Sequence, residues 1–159
     1  MTDDAFERLE QDLQAGGPEA GFEWLAQKFR QEKNYPLLLE ARLMKKRHEL
    51  GMALVQSEPL ADFPTEKQKA YEECFIEAAR EAGSLFLADG EIARAWPYFR
   101  AIAEPAPVAA AIEKVQAGDG IESVIEIAFH EGVHPRKGFD LILEQYGVCR
   151  AITSLQQYP

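Results

Sequence analysis

Apolar side chains recur at three- and four-residue steps along almost the whole chain, and no sustained run of strict alternation interrupts them. Such spacing puts the apolar positions on one side of a 3.6-residue helix, whereas a half-buried strand needs a period of two. Phe22, Leu25, Ala26 and Phe29 form one face, and Tyr71, Cys74, Phe75, Ala78, Ala82, Leu85 and Phe86 a longer one. Further faces follow at Ile92, Ala95, Trp96 and Phe99, and at Ile121, Val124, Ile125, Ala128 and Phe129. The last two are Phe139, Ile142, Leu143 and Tyr146, then Val148, Ile152 and Leu155. The chain is expected to be all-α.

Punctuation divides these faces into hairpins. Pro18, Pro36, Pro64, Pro107 and Pro135 each stand just before a periodic run, where the missing amide proton costs nothing. Gly51, Gly90, Gly120, Gly132 and Gly147 lie at or beyond run ends, where a left-handed cap is wanted. Pro97 falls inside a run and should kink its helix. The short connections predict antiparallel neighbours. The longest loop, "VQSEPLADFP", marks the expected subdomain boundary, near residues 55–63, of what is otherwise one domain.

The chain also matches itself at an offset of 30. Asp89-Gly90 meets Asp119-Gly120, Phe99 meets Phe129, Pro105 meets Pro135, and Ala79 meets Ala109. These are the turn, the packing aromatic and the terminator of a helical pair, as expected of stacked repeats. The stretch "IEAAREAGSLFLADGEIARAWPYFRAIAEPAP" resembles one tetratricopeptide repeat. Gly83 matches the small residue at the close approach of the paired helices, and Phe86 the aromatic three positions later. Gly90 matches the turn, Ala95 the small residue of the second helix, Phe99 its aromatic and Pro107 the terminating proline. Ala79 departs from the family's tryptophan, and Ile102 from its alanine. The same stretch also resembles the opening part of a larger bacterial helical-repeat family. The resemblance implies a right-handed stack of about four antiparallel hairpins, a TPR-like superhelix, after a short N-terminal helix. Such a motif is nearly silent on chemistry, and the function expected of the chain is a non-catalytic scaffold whose groove receives a peptide or protein segment.

Charge narrows the partners. Acidic residues outnumber basic ones 27 to 17, a formal charge of -10, which repels a phosphate backbone and argues against nucleic acid. No apolar run has the length of a membrane span, and "MTDDAFERLEQDL" is unlike a signal peptide, so a cytoplasmic protein away from membranes is expected. Arg42, Lys45, Lys46, Arg47 and His48 form one basic stretch. It reads as a receptor for an anion or, more plainly, as a helix end whose cations suit the dipole. Cys74 and Cys149 each fall in an apolar helical pattern, as small buried thiols rather than a disulfide framework.

His130, Glu131 and His134 in "HEGVH" spell the zinc-peptidase pattern. A zinc site needs both imidazoles on one helix face. Gly132 between them and Pro135 after them predict instead a turn at 132–134, with Pro135 opening the next helix. A third ligand is also doubtful, because Lys137 stands where metzincin spacing wants glycine before Asp140. No cofactor is expected. A metal-dependent hydrolase and a structural oligomerisation module remain the alternatives to the scaffold.

For a partner surface, Arg94, Tyr98 and Arg100 stand out, with Glu73 and Glu77 as an acidic counterpart. Glu73, Glu77 and Glu81 recur at four-residue steps and otherwise read as a solvated face. Finally, "VCRAITSLQQYP" keeps Val148, Ile152 and Leu155 on one face, with Cys149 and Tyr158 nearby and Arg150 its only charge. Its outer face is therefore expected to be covered, by a second copy of the chain in a homodimer or by further sequence.

Overall fold

A computed structural model describes residues 3–55 and 59–156. Among these residues the regular elements are helical and no strand occurs. Among the described residues no helix is long and apolar enough to cross a membrane. The chain forms two compact units, Met1–Ala82 and Gly83–Pro159, and the division falls within a helix rather than in the 55–64 linker.

The first unit contains α1 (Asp3–Gln31), α2 (Tyr35–Glu49), a 3-10 turn (Leu60–Asp62) and the first part of α3 (Thr65–Ala88). α1 breaks at Gly17, whose φ of 70° is non-helical, and Pro18 opens its second part. Asn34 caps α2 by accepting from the Leu37 amide, and Pro36 occupies the first turn. Tyr35, Leu38, Leu39, Ala41 and Leu43 are buried on α2, as are Phe22 and Ala26 on α1.

The basic stretch is spent inside this unit. Lys46, Arg47 and His48 form the last turn of α2, where cations suit the dipole. Lys45 donates to Glu23 at 2.6 Å, Arg42 reaches Glu23 and Glu81, and Arg47 reaches the Leu54 carbonyl and the Tyr71 hydroxyl. Glu81 also pairs with Arg30, so it is not part of a purely solvated acidic row. The hydrogen bond from Lys45 holds the Glu23 carboxyl below its usual range, and Glu23 in turn raises Lys45.

The second unit holds the end of α3, then α4 (Ile92–Ala101), α5 (Ala106–Ile112), α6 (Glu122–Ile125) continuing into a π turn (Glu126–His130), α7 (Pro135–Tyr146) and α8 (Val148–Gln156). Phe86, Ala95 and Phe99 are all buried. A Cβ added to Gly83 would lie 2.7 Å from the Phe99 ring, so the missing side chain is what lets α3 approach α4. α4 runs through Pro97, which removes the i+4 donor of the Ala93 carbonyl. Ile121, Ile125, Phe129, Leu141, Ile142 and Ala151 form a second cluster.

The offset of 30 has a structural counterpart. Gly90 and Gly120 take φ of 79° and 76°, Phe99 and Phe129 are both buried, and Pro105 and Pro135 both stand at helix starts. One face departs from expectation. On α7 the buried residues are Gly138, Leu141 and Ile142, whereas Leu143 and Tyr146 are exposed and Phe139 is half buried. The stripe is rotated because Gly138 presses directly on Phe129: a Cβ there would meet the Phe129 backbone nitrogen at 2.8 Å. Cys149 also departs, being exposed where a buried thiol was expected, and Cys74 is only half buried. Tyr158 lies outside the described residues.

Four helix ends share one turn chemistry. At Lys33, Gly51, Gly90 and Ala103 the residue has positive φ, its amide reaches back three residues, and the next amide reaches back five. This is the Schellman pattern, and glycine is its usual occupant. Ala103, with φ of 55° and an exposed side chain, adopts a conformation that disfavours any Cβ. Ala103→Gly should therefore raise stability by about 0.5–1 kcal/mol, the left-handed penalty less the entropy glycine loses on folding. A midpoint in urea that falls for this variant would mean that the turn is held by the alanine side chain.

Candidate functional site

A groove of about 650 Å3 lies in the second unit, between α4 and the segment that runs from α6 through the π turn. Its apolar lining comes from Ala93, Trp96, Pro97, Ala101 and Ile127, and its polar lining from Ser123, Arg100, Glu126 and Glu131. Sequence spacing explains the α4 wall. Ile92, Ala95 and Phe99 turn inward, so Trp96 and Arg100, one position on and one turn apart, share a neighbouring face.

The opposite wall depends on the π turn. The Glu131 amide donates to the Glu126 carbonyl at 2.9 Å, five residues back, and the inserted residue carries the following side chains round the axis. Glu131 thereby faces α4. Its Oε2 accepts the Trp96 indole N–H at 2.7 Å and the Arg100 guanidinium at 3.0 Å. One donor is cationic, so this is the stronger, charge-assisted kind of contact. It fixes the indole plane and holds the guanidinium across the groove. Glu126, also at the rim, is largely exposed, and the His130 imidazole lies 4.0 Å away.

The zinc-peptidase pattern falls in the turn that follows. Gly132, with φ of 74°, and His134 form the turn expected of them, and Pro135 opens α7. His134 is the N-cap of α7: its Nδ1 accepts the Lys137 amide in a long contact of 3.5 Å. Its Nε2 lies 2.7 Å from Glu113. Both ring nitrogens are thus engaged, one as acceptor and one as donor, leaving no lone pair directed at a metal. His130 turns toward Glu126, and Glu131 is tied to Trp96 and Arg100. Among the described residues, no group of three His, Cys, Asp or Glu side chains converges as a metal would require.

The residues singled out for a partner surface fall in three places. Arg100 lies in the groove. Arg94 and Tyr98 sit together beside Phe86: the guanidinium is 4.5 Å from that ring centroid, and the Tyr98 ring is 5.6 Å from it. Arg94 also pairs with Glu91 at 2.7 Å, and Tyr98, expected at the surface, is half buried. Glu73 and Glu77 belong to the first unit, where they line a narrower cleft of about 290 Å3 with Arg42, Lys45, Lys46 and Cys74. Burial pushes the Cys74 thiol above its usual range. Of the groove residues only Arg100 is among those singled out from the sequence, which sets Trp96 on an apolar face and Glu131 in a metal pattern. The i, i+4 pairing of Trp96 with Arg100 was a usable signal for the first, and nothing in the sequence paired either with Glu131.

Comparison of the chain with family models, curated proteins and solved structures returns no match.

Proposed function

We propose that the chain is a non-catalytic helical-repeat scaffold, a TPR-like right-handed stack of antiparallel hairpins, that binds a peptide or protein segment in the groove beside Trp96. The repeat part of this reading is supported by Gly83 against Phe99, by the buried Phe86 and Ala95, and by the left-handed turn at Gly90. The binding part is carried by one observation. Trp96 is half buried, flanked by Pro97 and Ala93, and held in place by a carboxylate that also holds Arg100. A preorganised aromatic wall with a few fixed polar groups is the usual form of a recognition site.

The groove also suggests what its ligand carries. Arg100 is already matched by Glu131, and Glu126 adds a second carboxylate at the rim. An apolar side chain flanked by lysine or arginine suits this lining, and the charge of -10 would draw such a segment in. Panning a random peptide library against the protein should return that chemistry. Trp96→Ala should weaken the selected peptides by about thirtyfold, the loss typical of a central aromatic anchor. Selected peptides that bind the Trp96→Ala variant as well as the original chain would place recognition elsewhere.

A further inference from the structure

We infer that Glu131 determines which sign of charge the groove accepts, its carboxylate filling from within a site that would otherwise take the carboxylate of a ligand. This rests on the groove being a binding site, as proposed above, and adds what sets its selectivity. Two donors from α4, the Trp96 indole N–H at 2.7 Å and the Arg100 guanidinium at 3.0 Å, converge on one oxygen, Glu131 Oε2. A neutral donor beside a cationic one is an arrangement that receives an anion, and the cation makes the contact the stronger kind. The α4 wall thus presents an anion site, and the π turn delivers the anion.

Neither the indole nor the fold requires a charge at this position. The indole N–H needs one acceptor, which a neutral amide oxygen supplies as well. The Arg100 side chain is 68% exposed and that of Glu131 30%, and an ion pair so open to water adds little stability. The negative charge of Glu131 acts mainly on what enters the groove.

The charged lining is Arg100, Glu126 and Glu131, one cation against two carboxylates. With Glu131 in place the cation is occupied. Glu126, 64% exposed and in long contact with His130 at 4.0 Å, is then the charge that meets a ligand. A lysine or arginine finds an acceptor there, whereas a ligand carboxylate must first displace Glu131 from both donors. A neutral side chain at position 131 reverses this beside Trp96, because Arg100 and the indole can then receive an external carboxylate.

One test needs no peptide. In Glu131→Ala both donors are free, and acetate should shift the Trp96 indole nitrogen–proton resonance to saturation. The midpoint should lie at about 10–100 mM, the strength of one charge-assisted hydrogen bond. Sodium chloride at equal ionic strength should not reproduce the shift, the unaltered chain should not show it, and adding Arg100→Gln to Glu131→Ala should abolish it. The second test compares a peptide selected on the unaltered chain with its counterpart in which each lysine or arginine is replaced by glutamate. Glu131→Gln, which keeps an acceptor for the indole, should reduce the preference for the basic peptide by about tenfold or more. An acetate response in Glu131→Ala no greater than in the unaltered chain overturns the inference, as does one that survives Arg100→Gln. A preference that Glu131→Gln leaves unchanged overturns it equally, and if Glu131→Ala loses its helical circular dichroism, that preference decides. A selection that returns no peptide at Trp96 counts against the groove as a binding site, and the acetate titration then decides the role of Glu131 by itself.

Discussion

Phe99→Ala should lower the free energy of unfolding of the second unit by about 3–5 kcal/mol, the cost of truncating a fully buried aromatic. Phe99 is completely shielded from water, and its ring rests on the bare Cα of Gly83. Removing the ring leaves a void that neither α3 nor α4 can close alone, because their separation is set by that contact. Tyr98→Ala, one residue away, should cost less, since that ring is only half buried beside Phe86. Urea denaturation followed by far-ultraviolet circular dichroism separates the two. Equal midpoints for Phe99→Ala and the original chain would mean that the α3–α4 hairpin is not packed through this ring.

Gly138→Ala should cost about 2–3 kcal/mol, although alanine is the better helix former by about 1 kcal/mol. The added methyl would meet the Phe129 nitrogen at 2.8 Å, its Cβ at 2.8 Å and the Ala128 Cβ at 3.0 Å. Backbone cannot swing aside as a side chain can, so α7 must move off the π turn. Gly83→Ala offers a contrast, because its new methyl meets only the edge of the Phe99 ring. Its destabilisation should be smaller than that of Gly138→Ala. A Gly138→Ala variant that melts higher than the original would show that propensity wins and that α7 has room to spare.

These two glycines also show how far the sequence could be read. Gly83 was identifiable because Phe86, Gly90, Ala95 and Phe99 surround it in a known hairpin pattern, and the predicted burial of Phe86, Ala95 and Phe99 agrees with the fold. Gly138 was not, because its reason lies at Phe129 and Ala128, on another helix. Without it the buried stripe of α7 is assigned to Leu143 and Tyr146 instead of Leu141. Lys33 and Ala103 escaped notice for a related reason. Left-handed caps are read from glycine, and these two turns hold the same backbone shape with a side chain in place. Helix type and hairpin order are local properties, written in spacing and punctuation. Rotation about each helix axis depends on what the neighbour presents.

The groove follows the same rule. Arg100 was legible as an exposed cation on an amphipathic helix. Glu131 was legible only as the glutamate of a metal motif, and the π turn that carries it to Trp96 has no sequence signature of its own. The exposure of Cys149 belongs to the inverted polarity of α8, where spacing identifies an apolar face but not which way it points.

Binding beside Trp96 can be read from a single nucleus. The indole N–H of Trp96 donates to Glu131, whereas Trp24 belongs to the first unit, so a nitrogen–proton correlation spectrum assigned with Trp96→Phe distinguishes them. On titration with a library-selected peptide carrying an apolar residue beside lysine or arginine, the Trp96 indole resonance should shift to saturation while that of Trp24 stays in place. A Trp96 resonance that does not move at saturating peptide, or a shift confined to Trp24, would contradict a binding groove on α4.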